Sequence, residues 1–202
     1  MAGRWPLPAI LWIHGGAYIL GTPETASEAA VRFEWGLLPT YRLAPDHPAP
    51  AALDDCVSVL QWLASGAEGL VDPKGLLWAG MAAGWQPPWP SLVYPMLGDR
   101  TNLPGAVLLT HPGMWTLETN KYAWKSYLVP HADSPEGAPK YAVPARREYL
   151  AGLAETWIGV GIQDLFYAED KEYARRLRSA GVRMDRVHAP QGRIHEEDSG
   201  FT

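Results

Sequence analysis

The run Ala9-Ile10-Leu11-Trp12-Ile13 stops abruptly at His14-Gly15-Gly16, and no other stretch constrains this chain as much. A short, β-prone apolar run bounded by turn residues predicts a buried strand over residues 8–13. The two glycines that follow let backbone N–H groups turn together toward a space where an anion sits. Such a strand tip is suited to stabilising negative charge that develops during a reaction. Taken alone, the tripeptide also fits an ordinary strand-to-loop turn, so its meaning depends on the rest of the chain.

The rest alternates in period. Ala26, Ala29, Ala30 and Phe33 recur at helical spacing after Thr22-Pro23, which predicts a helix from Glu24 to Glu34. Tyr41 to Pro50 is a proline-punctuated loop. A helix is predicted from Ala51 to Ala64, with the stripe Leu53, Cys56, Val57, Leu60 and Leu63, and with Asp54 and Asp55 near its positive end. Strands are predicted at Leu76–Ala79, Ser91–Tyr94, Thr156–Gly161 and Met184–Ala189, and Gly105–Thr110 has the composition of one more. Phe166 to Ser179 predicts a helix, acidic at its start, basic at its end and stopped by Gly181. Strands alternating with helices argue an α/β domain with a mainly parallel central sheet flanked by helices. Residues 112–150 break the rhythm, being rich in Trp, Tyr, Pro and charge. They are expected to be a partial lid or cap insertion between two parts of one core, residues 1–111 and 151–202.

Composition narrows the partners. A chain of 202 residues, 47% hydrophobic, is enough for one domain with a sizeable core. The net charge of -5 and dispersed Lys and Arg argue against a nucleic-acid partner. Arg175-Arg176-Leu177-Arg178 is expected to be a solvated helix face. The single Cys56 excludes an internal disulfide and a Cys-based zinc cluster, and the six scattered His imply no metal or other cofactor. No apolar run nears the roughly 20 residues of a membrane span, and residues 1–6 lack the apolar centre of a signal peptide. A cytoplasmic location is the expectation.

In open α/β sheets chemistry gathers at the carboxyl ends of the strands. Those ends lead to His14-Gly15-Gly16, Gly80-Met81-Ala82-Ala83-Gly84, Asp164 and His195. The chain resembles the α/β-hydrolase fold and, within it, the bacterial esterases related to hormone-sensitive lipase. The resemblance rests on His14-Gly15-Gly16-Ala17-Tyr18, on Tyr41-Arg42-Leu43-Ala44-Pro45 with Pro50-Ala51-Ala52-Leu53-Asp54-Asp55, on Tyr94-Pro95-Met96-Leu97, and on Gly159-Val160-Gly161 before Asp164.

The resemblance implies hydrolysis of a small carboxylic ester, with a short acyl chain, through a Ser-His-Asp triad. It implies no cofactor, and a homodimer is compatible with it. The nucleophile belongs in a Gly-x-Ser-x-Gly turn, where small residues let the backbone bend and expose the hydroxyl. Here that position is Ala82, which has no oxygen to attack with. The resemblance makes Asp164 the triad acid, His195 the base, and the amides of Gly15, Gly16 and Ala83 the oxyanion donors. His14 is expected to brace its loop, His188 to be structural, and Trp115 and Trp124 to line an acyl pocket. Asp164 also suits a helix N-cap.

Other departures go beyond Ala82, and the strand expected before Tyr41 is abbreviated to Gly36-Leu37-Leu38-Pro39-Thr40. Gln191 displaces His195 by one residue from the family's Pro-Gly-x-x-His loop, although Gly192-Arg193-Ile194-His195 keeps the Gly-x-x-His spacing. Trp85-Gln86-Pro87-Pro88-Trp89-Pro90 stands where a helix is expected, and its prolines forbid one. Three readings stay open: an esterase scaffold without its nucleophile, a non-catalytic binding module that keeps the pocket, and a relative whose core has been shortened.

Overall fold

The structure, a computed structural model, describes residues 6–26, 36–80, 90–101, 115–128, 138–139, 141–162 and 164–189. Its strands are β1 (Leu7–Ile13), β2 (Gly36–Leu37), β3 (Val71–Gly80), β4 (Pro90–Val93), β5 (Thr156–Gly161) and β6 (Met184–Ala189). They form one sheet in the order β2-β1-β3-β4-β5-β6, with every neighbouring pair parallel. The α-helices among the described residues are α1 (Ala51–Ala64), α2 (Leu117–Leu128) and α3 (Tyr167–Ser179).

A parallel sheet is covered on both faces, so its strands are near-continuous apolar runs. In β1, Ala9, Ile10, Leu11 and Ile13 are all buried, and in β5 Ile158 and Val160 are. Fully burying a side chain such as Leu11 or Ile158 contributes roughly 1.5–3 kcal/mol. β3 begins at Val71, before the apolar run that marks it in the sequence. Its early part is irregular: Leu7 pairs with Val71 but Ala9 pairs with Leu76. Pro73 and Gly75 fall inside that shift, where neither has to serve a regular ladder.

α1 has the bounds its periodicity predicts, and its buried stripe is Ala52, Cys56, Leu60 and Leu63. Leu53 and Val57 are only half-buried, so the stripe is centred on the Ala52 side of the expected one. α3 ends as Gly181 predicts. Gly181 sits at φ +79°, its N–H donates to Arg178 O at 3.0 Å, and Val182 N–H donates to Leu177 O at 3.0 Å. These two bonds satisfy carbonyls that the last turn would otherwise leave open.

α2 was not foreseen. It lies in the segment expected to be an insertion, yet Ala123, Trp124, Tyr127 and Leu128 join the same core as the sheet. Thr116 caps it, accepting the amide of Thr119 at 3.1 Å. At Pro23–Ala26 the structure has a short 3-10 turn. Residues 27–35, where most of the expected Glu24–Glu34 helix falls, lie outside the described residues, as does the Gly105–Thr110 strand.

β3 and β4 are joined through residues 81–89, a shorter link than the dozen or more residues of a helical crossover between parallel strands. Their ladder is correspondingly brief: Trp78 pairs with Pro90 and Ala79 with Ser91.

Candidate active site at the carboxyl edge of the sheet

Parallel strands bring their carboxyl ends to one edge. Ile13, the last residue of β1, pairs with Gly80, the first residue of the Gly80–Gly84 pentapeptide. Gly161, the last residue of β5, pairs with Ala189, the last of β6. The His14-Gly15-Gly16 turn, the start of the pentapeptide and Asp164 therefore share that edge. Ala82, Ala83 and His195 lie outside the described residues.

The turn after β1 is built by residue type. Gly16 has φ +125°, and a Cβ there would lie 1.8 Å from Leu20 O. Gly21 has φ +103°, and a Cβ there would meet Gly15 O at 2.4 Å and His14 Nδ1 at 2.7 Å. Only glycine fits either position. Ala17 and Tyr18 follow at φ +50° and +67°, so three successive residues are left-handed and two of them carry side chains. The Gly16 carbonyl accepts Ile19 N–H and Leu20 N–H, each at 3.0 Å. Outside the sheet ladder, and among the described residues, the amides of Gly15 and Gly16 donate to no backbone carbonyl.

His14 is 1% exposed. Its Nδ1–H donates to Gly15 O at 2.7 Å, and its ring stacks on Tyr41 with centroids 4.2 Å apart. Those contacts make it the brace of its own turn. Tyr18 stacks on Tyr127 of α2 and lies 5.9 Å from Trp124. Ala49 N–H donates to Tyr127 O at 2.7 Å. Burial pushes the hydroxyls of Tyr18, Tyr41 and Tyr127 up, so all three stay protonated. Behind the turn, His14, Ala17, Tyr18, Tyr41, Cys56 and Tyr127 help to line a small apolar cavity. Burial, with Asp55 adding to it, pushes the Cys56 thiol up to about 12. A thiol held neutral in this way is no nucleophile near neutral pH.

Asp164 stands at the end of β5, its Oδ1 accepting the N–H of Phe166 at 2.9 Å. This is an Asx turn, a side chain bonding the backbone two residues on. The N-cap of α3 is Phe166, so Asp164 is not the helix cap. Burial raises the Asp164 carboxyl above its ordinary range, and the Phe166 N–H opposes that rise. Glu169, in the first turn of α3, accepts Leu97 N–H at 3.0 Å, Gly98 N–H at 3.1 Å and the Thr101 hydroxyl at 2.5 Å. Arg176 adds bonds to the carbonyls of Ala145 and Arg147. α3 is thus fastened to the chain that follows β4. Beside Glu169, Asp170 is 0% exposed, and neither carboxylate oxygen has a hydrogen-bond partner among the described residues. Burial first, then Glu169 and Asp164, push its carboxyl up to about 9.

Sequence reasoning did not foresee the stacking of α2 on Tyr18. Its signal was there in Thr116 as a cap and in the spacing of Ala123, Trp124, Tyr127 and Leu128. No group of three or more potential metal ligands occurs among the described residues. Nor is any helix among them long and apolar enough to cross a membrane.

The profile of a family described as an alpha/beta hydrolase fold matches residues 10–86 and 76–197. The chain belongs to that family, in its hormone-sensitive-lipase-like esterase branch. The two matched stretches overlap across β3 and the start of the link to β4. Esterase LipI of Mycobacterium tuberculosis is 25% identical, covering 93% of this chain and 65% of its own length. Carboxylesterase NlhH of the same species is 27% identical over 92% and 67% respectively. Among solved structures, esterase LipW from Mycobacterium marinum is similar with a TM-score of 0.79 and 31% identity, covering 94% of this chain and 65% of that one. A bacterial heroin esterase gives 0.79 and 29%, covering 93% and 66%. The chain spans about two thirds of the length of such relatives.

Proposed function

We propose that the carboxyl edge of the sheet is an ester site of the serine-hydrolase type, lacking its nucleophilic oxygen. The observation that carries this reading is the pairing of Ile13 with Gly80. It starts the pentapeptide beside the His14-Gly15-Gly16 turn, with Asp164 at the same edge. In this reading the amides of Gly15, Gly16 and Ala83 face the ester carbonyl oxygen, and Asp164 orients His195 as general base.

With serine at position 82, its Oγ would attack the acyl carbon while His195 takes the proton. The same proton would then pass to the departing alcohol, and water activated by His195 would release the acid. Ala82 has no atom to begin the sequence, so the chain as it stands binds an ester without forming an acyl-enzyme. The esterase names of the relatives support the substrate class. The aromatic face of α2 against Tyr18 supports residues 112–150 as a cover over the site, which favours short acyl chains.

A non-catalytic binding role is the second reading, favoured by Ala82 itself together with the high pKa of the buried Cys56 thiol. We also place the protein in the cytoplasm, on its single cysteine.

The test is hydrolysis of p-nitrophenyl acetate and butyrate by this chain and by its Ala82→Ser form. Turnover by Ala82→Ser alone supports the triad reading. Burst kinetics from the unaltered chain would show that the nucleophile lies elsewhere, and two folded but inert forms would favour the binding role.

A further inference from the structure

We infer that the Tyr41–Ala44 segment is the positioning element of the His14–Tyr18 turn, with Tyr41 as its main positioning residue; the inference rests on the esterase reading for its consequence in catalysis. The sequence singles out Tyr41-Arg42-Leu43-Ala44, yet none of these residues has a place in the proton transfers above. In the structure they grip the turn at both ends. The Tyr41 hydroxyl donates to His14 O at 2.9 Å, a buried bond across 27 residues. The Tyr41 ring lies on the His14 imidazole, with the planes 12° from parallel. At the other end, Ala44 N–H donates to Tyr18 O at 2.9 Å.

These bonds hold the carbonyls at positions 14 and 18, on either side of the Gly15 and Gly16 amides. A carbonyl fixed at one end of a peptide plane fixes the N–H at the other, because the unit is planar. The bond to His14 O therefore sets the plane that carries the Gly15 amide. The grip is in turn anchored. Arg42 forms a two-pronged pair with Asp55 of α1 through Nε and Nη2, and its own N–H donates to Asp55 Oδ2 at 2.9 Å. The turn itself is held in left-handed geometry at Ala17 and Tyr18, which surrounding contacts must impose. An oxyanion site depends on donors that are already in place before charge develops.

The test compares Tyr41→Phe, which keeps the ring and removes the hydroxyl, in two backgrounds. In the chain as it stands, the readout is the amide nitrogen shift of Gly15 and Gly16 by NMR. We expect both shifts to move as the peptide plane is released. In the Ala82→Ser background, kcat for p-nitrophenyl acetate should fall about tenfold with KM within about twofold, short of the roughly 10²–10³-fold cost of deleting an oxyanion donor outright. Tyr173→Phe, a buried tyrosine of α3, should leave both readouts unchanged. Should Tyr41→Phe fail to fold, Arg42→Gln tests the anchor from the surface and should move the same amide shifts in the same direction. Unmoved Gly15 and Gly16 amides in the folded variant would overturn the inference. An inert Ala82→Ser background with moving amides would instead overturn the catalytic reading and leave the positioning role standing.

Discussion

Tyr18 lies flat against Tyr127, with ring centroids 4.1 Å apart and planes 13° from parallel. One residue belongs to the turn after β1 and the other to α2, so the stack joins that turn to the helix. Tyr127 is 2% exposed. Tyr127→Ala is expected to lower stability by about 3 kcal/mol, measured by urea unfolding. In a double-mutant cycle with Tyr18→Ala, the coupling should be about 1 kcal/mol, the size of an aromatic pair beyond its buried area. A coupling near zero would mean that α2 does not support the turn.

Asp170 gives stability a definite slope with pH. Its carboxyl titrates near 9 in the fold and near 3.9 in the unfolded chain. Between those values the folded state holds a proton that the unfolded state has released, so stability falls as pH rises through that window. Asp170→Asn should match the parent only below about pH 4, gain on it as pH rises, and exceed it by about 4–6 kcal/mol at pH 8. Glu169 and Asp164 are also raised, so the variant's profile should be flatter rather than level. Equal pH profiles for the two proteins would show that Asp170 is ionised and partnered.

Two substitutions on one turn should have unequal effects. Gly21→Ala forces a Cβ to within 2.4 Å of Gly15 O, a backbone atom that cannot step aside. We expect a loss of about 3 kcal/mol and a displaced His14 ring. Ala17→Gly removes a side chain held at φ +50° and should change stability by less than about 1 kcal/mol. Thermal unfolding of the two variants side by side checks the contrast.

Glu169→Ala strips the acceptor from the amides of Leu97 and Gly98. Burial of two unpartnered N–H groups should lower stability by about 2–4 kcal/mol. Hydrogen exchange at Leu97 and Gly98 should rise with it. Glu169→Gln, which keeps one oxygen acceptor, should lie between Glu169→Ala and the parent.

Legibility in the sequence followed the physics of each element. α1 and β5 could be bounded because periodicity or an apolar run agreed with the packing the tertiary structure imposed. α3 could be ended because Gly181 is a local device whose geometry needs nothing distant. α2 escaped because its exposed Lys121, Tyr122 and Lys125 interleave with buried aromatics, so the segment carries more charge and bulk than a core helix usually shows. The start of β3 escaped because Pro73 and Gly75 resemble a loop, and only pairing with β1 makes the backbone extended there. At the carboxyl edge, the turn at Gly15 and Gly16 was legible from local pattern, whereas Asp164 stood out through the family resemblance. Tyr41 was visible as part of a motif, but its partner is 27 residues away, beyond the reach of periodicity.

The brief ladder between β3 and β4 gives the molecule a mechanical seam. Among the described residues two pairs hold that junction, where β1 with β3 and β5 with β6 are each registered along six. On one side stand the His14-Gly15-Gly16 turn, Tyr41 and α1, and on the other Asp164, Glu169 and α3. The other two-pair ladder, β1 with β2, holds only an edge strand, so strain that divides the sheet into halves meets least resistance between β3 and β4. The His14-Gly15-Gly16 turn and Asp164 then move apart while each keeps its own neighbours, so what lies between them changes before either half unfolds.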